Sequence, residues 1–358
     1  MKHVIPHLVR LAIGLALAVG LFAPAAQAQQ TVRVAWCART VSSAAAPFAI
    51  ATKMGWYAQA DIKLQLLPMP GSGDCVKSVA TGDAAYGVPS VEPLAIIHTQ
   101  GVKGRVYYTA YQGNIYGIAV PDASPIKTVA DLRGKKIGVI GMGSGGVLVA
   151  RALAAMQGMD PDKDIRIVVA GESAQTAALV RGKEVDALSQ FDTQYALVEN
   201  AGQKLRMLDT PEISRFPSNG FVALDDTLAK HRAQAVALAK GYAMGTVFAI
   251  ANPDAAISIL WEVYPQTKAT GKDEAEARRD DVKTLEARIK NWRLEAGGVT
   301  RWGENNEANY DAYEDFLLKW GVIKQKIPVK DLITNDLIEE INRFDPANIQ
   351  AQAKGYKG

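Results

Sequence analysis

The chain is poor in the side chains that most often ligate transition metals. It has two cysteines and four histidines in 358 residues. Two of those histidines, His3 and His7, lie in the first ten residues, which leaves only His98 and His231 beyond them. A compact transition-metal site is therefore poorly supplied. No nucleophile-elbow pattern occurs, so serine hydrolase chemistry has no anchor. Neither charge dominates: Lys+Arg total 40 and Asp+Glu 37. Nothing in that balance calls for a nucleic-acid or anionic-membrane partner. After residue 28 no stretch reads as apolar enough to span a bilayer.

The first 28 residues read differently. Lys2, His3, His7 and Arg10 make a basic start, and Leu11 to Phe22 form an apolar run that is short for a membrane span. Ala26-Gln27-Ala28 fits the small-x-small cleavage pattern. The expectation is an exported chain beginning at Gln29 and released into the periplasm, with no lipid anchor. Loss of Lys2 and Arg10 brings the mature chain closer still to neutrality. In an oxidising compartment Cys37 and Cys75 can close a disulfide. Each follows a strand-like run, and adjacent parallel strands would bring them near one another. Two small buried residues are the alternative.

The most informative run is Val139-Ile140-Gly141-Met142-Gly143-Ser144-Gly145-Gly146. A strand over Lys135–Ile140 feeds a glycine turn that opens a helix at Val147. Such turns aim free backbone N–H groups at a ligand, often an anion. The glycines also match the dinucleotide fingerprint, and Glu172 follows the next strand as that reading requires. Export weighs against it, because free nucleotide cofactors are not expected outside the cytoplasm. No cofactor is expected, and capture of a solute is the preferred reading.

The order of elements repeats. Val32, Val34 and Trp36 alternate as a strand, a helix follows from Pro47, and Ile62–Leu66 is a second strand. Asp74 is the expected N-cap of the next helix. Gly82–Val88 turns into a third strand, and Pro89-Ser90 opens another helix. The second half repeats this with Lys135–Ile140, Ile165–Ala170 and Val185–Leu188, Asp186 serving the turn. Two βαβαβ halves predict two α/β lobes, each a mostly parallel sheet covered by helices, with ligand held at the strands' carboxyl ends. The expected boundaries are 1–28 export signal, 29–116 first lobe, 117–218 second lobe, and 219–358 return to the first lobe with C-terminal helices. The crossings fall at Tyr108–Val120 and Ser218–Ala223. The charged stretch Asp273–Glu295 reads as a solvated helix face. Trp302, Tyr310, Tyr313, Phe316 and Trp320 read as packing the tail onto a lobe.

Several segments together resemble the periplasmic substrate-binding proteins of nitrate, taurine and alkanesulfonate ABC importers and their thiamine-precursor-binding relatives. They are Ala46–Tyr57, Gly82–Gly87, Asp131–Val139, Gly143–Gly145, Asp331–Asp336 and Ile341–Asp345. The resemblance implies a two-lobe periplasmic binding protein fold of type II kind that closes on a solute and docks to an inner-membrane permease. It does not carry over the solute. Thiamine-pyrimidine synthases share this fold class, but their cysteine-rich metal-binding run is absent from the sequence.

The candidate ligand contacts lie at the strand ends. Trp36 can stack on a flat solute, Arg39 can grip a carboxylate or sulfonate, and Ser42 and Ser43 can donate. Ser90 is expected to face Gln190, Phe191 and Asp192 across the cleft. Gly143, Ser144 and Gly145 offer backbone N–H groups, with glycine allowing close approach. Tyr195 can wall an aromatic ligand beside Phe191. Gln112 and Asn114 lie in the first crossing, as cleft contacts or as turn-satisfying side chains. The chain is thus expected to be a non-enzymatic, monomeric carrier of a small organic acid or sulfonate. The alternatives are a sensory ligand-presenting protein and a binder of pyrimidines or aromatic compounds.

Overall fold

The computed structural model describes residues 29–357, so the expected export signal and its cleavage point lie outside the described residues. Two five-stranded sheets organise the chain. The first contains β1 (Gln30–Trp36), β2 (Ile62–Pro68), β3 (Tyr86–Gly87), β4 (Gly104–Thr109) and β10 (Gly220–Leu224). The second contains β5 (Ala119–Pro121), β6 (Lys136–Val139), β7 (Arg166–Val169), β8 (Ala187–Leu188) and β9 (Leu205–Met207).

The orders β2-β1-β3-β10-β4 and β7-β6-β8-β5-β9 are the same pattern. β1 runs parallel to β2 and β3, and β6 runs parallel to β7 and β8. The odd strand is the one that follows a crossing. β10 is antiparallel to β3 and β4, and β5 is antiparallel to β8 and β9. Four strands of each sheet therefore share one direction, as the strand–helix alternation implies. Covering helices follow each parallel strand: Ala46–Lys53, Ser72–Ala80 and Val91–His98 on the first sheet, Gly145–Met156, Ser173–Arg181 and Asp192–Asn200 on the second. Gly71, not Asp74, precedes the helix Ser72–Ala80; Asp74 sits inside its first turn.

From Asp225 onward the chain is helical, and most of this tail packs on the first lobe. The helix Arg232–Ala251 has the length and mean hydropathy, 1.2, of a membrane span. This corrects the expectation that no such stretch follows residue 28. Its alanines and glycines serve close packing instead. Gly245 lies against the Pro47 backbone and Gly241 against the Tyr57 ring, positions that a Cβ would fill. Tyr310 and Tyr313 are buried, and Phe216 stacks on Tyr313 at 4.6 Å.

The charged helix Glu274–Trp292 has the expected solvated face and a buried one opposite it. Ala277, Thr284, Leu285, Arg288, Ile289 and Trp292 are buried. The helix lies across both lobes. Asp281 accepts from Ser43 Oγ (3.3 Å) and Trp261 Nε1 (2.7 Å) on the first-lobe side. Asn200 Nδ2 of the second lobe donates to the Asp280 carbonyl at 3.0 Å, and Lys283 pairs with Glu199 at 3.0 Å.

Candidate functional site

The carboxyl ends of β1, β3 and β8 converge on a narrow cavity of about 20 Å³, so a solute larger than water needs the lobes to part. Trp36, Cys37, Ala38, Ser42, Ala44 and Val88 line it from the first lobe. Tyr111, Ile115, Tyr116 and Asn219 come from the two crossings, Phe191 and Thr193 from the second lobe, and Arg288 from the C-terminal helix. Rings make up much of the wall. Tyr116 and Phe191 meet edge to face at 6.0 Å, and the Trp36 indole donates to the Thr40 carbonyl at 2.9 Å. Burial raises the phenols of Tyr111 and Tyr116 above the ordinary range, so both stay neutral donors at physiological pH.

Arg288 is the only charged side chain among the lining residues. Its Nε and Nη2 donate to the Asp192 carboxylate at 2.6–3.1 Å. Its guanidinium carbon lies 3.9 Å from the centroid of the Tyr111 ring. Burial opposes this charge, but Asp192 and the phenols of Tyr111 and Tyr242 more than offset it, and the pKa is raised above the ordinary value. Asp192 also accepts from Asn291 Nδ2 at 2.8 Å and from the Thr193 N–H at 2.6 Å. Thr193 Oγ1 is buried without a protein partner among the described residues.

Of the residues singled out in the sequence, Trp36, Ser42 and Phe191 line the cavity. The others lie nearby with different partners. Arg39 is exposed at the rim, where its backbone N–H donates to Glu172 Oε1 at 2.9 Å. Ser43 faces Asp281. Gln112 Nε2 donates to the carbonyls of Thr109 and Glu304, and Asn114 ties the crossings by donating to the Ile213 carbonyl at 3.1 Å. Gln190 turns toward the Gly171 carbonyl and Thr176, and Tyr195 bonds Gln190 N and the Gly117 carbonyl. Asp186 accepts from Lys136 N, a structural role. Ser90 lies against Gly145 rather than facing residues 190–192: a Cβ on Gly145 would sit 2.7 Å from Ser90 Oγ and 2.9 Å from Tyr116 Oη.

The glycine turn has the predicted form, but its close approach is to protein. Ser144 caps the helix Gly145–Met156, its Oγ accepting from Gly146 N at 3.2 Å. Gly73 N of the first lobe donates to the Gly143 carbonyl at 2.9 Å, and Gly71 packs directly on the same peptide. The dinucleotide reading loses its two footholds here: the turn is covered by Gly71–Gly73, and Glu172 is engaged by Arg39 and Thr40. Cys37 and Cys75 form a disulfide with a Cα–Cα distance of 5.7 Å. It ties the cavity-lining end of β1 to the helix that carries the Gly71–Gly73 contact.

The NMT1/THI5-like family model matches residues 42–256, well over half of the chain. The protein belongs to that family. It is 22% identical over 325 residues to the riboflavin-binding protein RibY of Chloroflexus aurantiacus, covering 88% of this chain and 89% of that one. It is 24% identical over 233 residues to the 4-amino-5-hydroxymethyl-2-methylpyrimidine phosphate synthase of Legionella pneumophila, covering 62% and 70%. Among solved structures, the alkanesulfonate-binding protein SsuA of Xanthomonas axonopodis pv. citri bound to MOPS shares the fold. The TM-score is 0.61 at 17% identity, over 85% of this chain and 98% of that one. The chain thus has the two-lobed α/β fold of periplasmic binding proteins.

Arg288, not among the residues the sequence singles out, does leave a local mark. It shares a helical stripe with Thr284, Leu285 and Trp292, and that i, i+3, i+4 spacing marks the buried face.

Proposed function

We propose that the protein is the extracytoplasmic solute-binding component of an ABC importer. It takes a small organic solute bearing a flat ring between its lobes and delivers it to a permease in the inner membrane. The observation that carries this reading is the cavity at the converging strand ends, walled by Trp36, Tyr111, Tyr116 and Phe191. Rings of this kind bury a planar solute and bias its orientation through edge and face contacts. Family membership and the shared fold of a sulfonate-binding protein support the carrier role. Similarity to two relatives, one riboflavin-binding and one a pyrimidine phosphate synthase, supports a ring-bearing solute. Only the second favours an enzyme. We assign no catalytic residue, because the lining offers rings, hydroxyls and one ion-paired arginine but no free general base.

The protein acts as a monomer in the periplasm, exported and cleaved to begin at Gln29. Intact mass of periplasmic protein should give that N-terminus; a retained Met1 would exclude it. Thermal shift across pyrimidines, flavins, aromatic acids, aliphatic sulfonates and inorganic oxyanions tests the solute class, since binding to the folded form raises apparent stability. Ring-bearing solutes should raise the melting temperature. A response confined to inorganic oxyanions or aliphatic sulfonates would sink the ring-solute reading.

A further inference from the structure

Arg288 reaches the cavity from outside either lobe's sheet, on a helix that the strand–helix repeat does not include. Three features make it more than a structural ion pair. It is the one charged side chain in the cavity lining. Asp192 engages Nε and Nη2, which leaves Nη1 as the part of the fork not taken by that carboxylate. Asp192 is itself fixed, accepting from Asn291 and Thr193 N–H and opening the helix Asp192–Asn200. The arginine is therefore held rigidly, by Asp192 and by the Tyr111 face, with Nη1 outside the ion pair. Beside it, buried Thr193 Oγ1 has no protein partner among the described residues, although a buried hydroxyl ordinarily finds one.

We propose that Arg288 and the Thr193 hydroxyl form the subsite that selects the solute's acidic group, and that Asp192 is the positioning residue that aims Arg288. The solute is then a ring-bearing organic monoanion, its ring against the aromatic wall and its acid group toward the C-terminal helix. This rests on the carrier reading above and deepens it. Arg39, which lies exposed on the rim, takes no part in this selection.

The test is calorimetry with two matched pairs, benzoate against benzamide and nicotinate against nicotinamide, with aliphatic ethanesulfonate as a control. The wild-type chain should bind each acid tighter than its amide by about tenfold or more, the range of a charge-assisted hydrogen bond. Arg288→Met should abolish that preference, weakening the acids far more than the amides. Asp192→Asn should reduce the acid-to-amide ratio with the amide affinity unchanged, an effect that a merely structural role would not produce. If Arg288→Met fails to fold because Asp192 is left unpaired, the double variant Arg288→Gln/Asp192→Asn removes both charges together. It should show the same loss of preference. Equal binding of acid and amide by the wild type, or a preference that survives in the folded variants, overturns the proposal. So does silence toward all five compounds. Binding of ethanesulfonate alone would overturn the ring-solute reading, and the double variant's affinity for it would then decide Arg288 independently.

Discussion

Thr40 and Glu172 meet across the mouth of the cleft, Thr40 Oγ1 donating to Glu172 Oε2 over 2.7 Å. The other carboxylate oxygen accepts from Arg39 N at 2.9 Å. One side chain at the end of β7 thus holds two groups at the end of β1. Residues that stand far apart in the sequence become a clasp between the lobes.

Removing the clasp should ease opening. Each exposed bond contributes on the order of 1 kcal/mol, so Glu172→Ala should release a bound solute several-fold faster with little change in association. Stopped-flow fluorescence from Trp36 and its neighbours can follow this. An unchanged dissociation rate would assign the clasp no role in solution.

The glycine turn makes a second interlobe contact, and Gly145→Val tests it. A side chain there would run into Ser90 Oγ and Tyr116 Oη. The lobes should stay folded but close incompletely, giving a larger radius of gyration by small-angle scattering and weaker binding. Ser144→Ala should instead lose about 1 kcal/mol of stability as a missing helix cap, visible in urea denaturation, with ligand affinity nearly unchanged. A large affinity loss at Ser144 with unchanged stability would return the turn to a ligand-cradling role.

Reduction of Cys37–Cys75 should cost stability. The bridge spans 38 residues, and loops of this size are stabilised by roughly 2–4 kcal/mol when closed. Chemical denaturation with and without reductant, and of Cys37→Ala/Cys75→Ala, should give the same midpoint shift. Identical midpoints for oxidised and reduced protein would place the stabilising closure elsewhere.

Glu314 governs a pH dependence. Burial pushes its carboxyl up to about 7, with Ile327 N–H and Lys326 opposing. Its folded pKa lies above the ordinary carboxylate value, so the stability it contributes is fully present below about pH 4.5. That contribution falls as pH rises toward 7, where the folded chain must ionise a buried group. Burial raises Glu92 and Asp281 in the same direction. Glu314→Gln keeps an oxygen for Ile327 N–H and removes the ionisation. The variant should be more stable than wild type at pH 8, by roughly 3 kcal/mol at most, and similar at pH 4. Parallel stability curves from pH 4 to 8 would contradict this.

Much of the architecture was legible because local pattern and global fold agree. The alternation in Val32, Val34 and Trp36, the turn at Gly82–Val88 and its echo before β8 each reflect a strand buried on a repeating side. The two cysteines follow runs that became adjacent parallel strands, and parallel pairing brings their carboxyl ends together. Trp36, Ser42 and Phe191 reach the cavity for the same reason: in such sheets the loops after the strands converge.

Tertiary structure decided which partner each of these ends would meet. The glycines at 143 and 145 announce a close approach, but periodicity carries no information about what approaches, and here it is the opposite lobe. Charge density along Glu274–Trp292 read as solvation, because a sequence window weighs composition and cannot see that Asp192 waits on the other lobe for Arg288. A long-range ion pair leaves no mark in local spacing. The strands, the turns and the two βαβαβ halves follow from short-range sterics and hydrophobic alternation written along the chain. The assembly of the cavity from six separate segments depends on contacts between residues far apart in sequence, and only the folded chain brings those together.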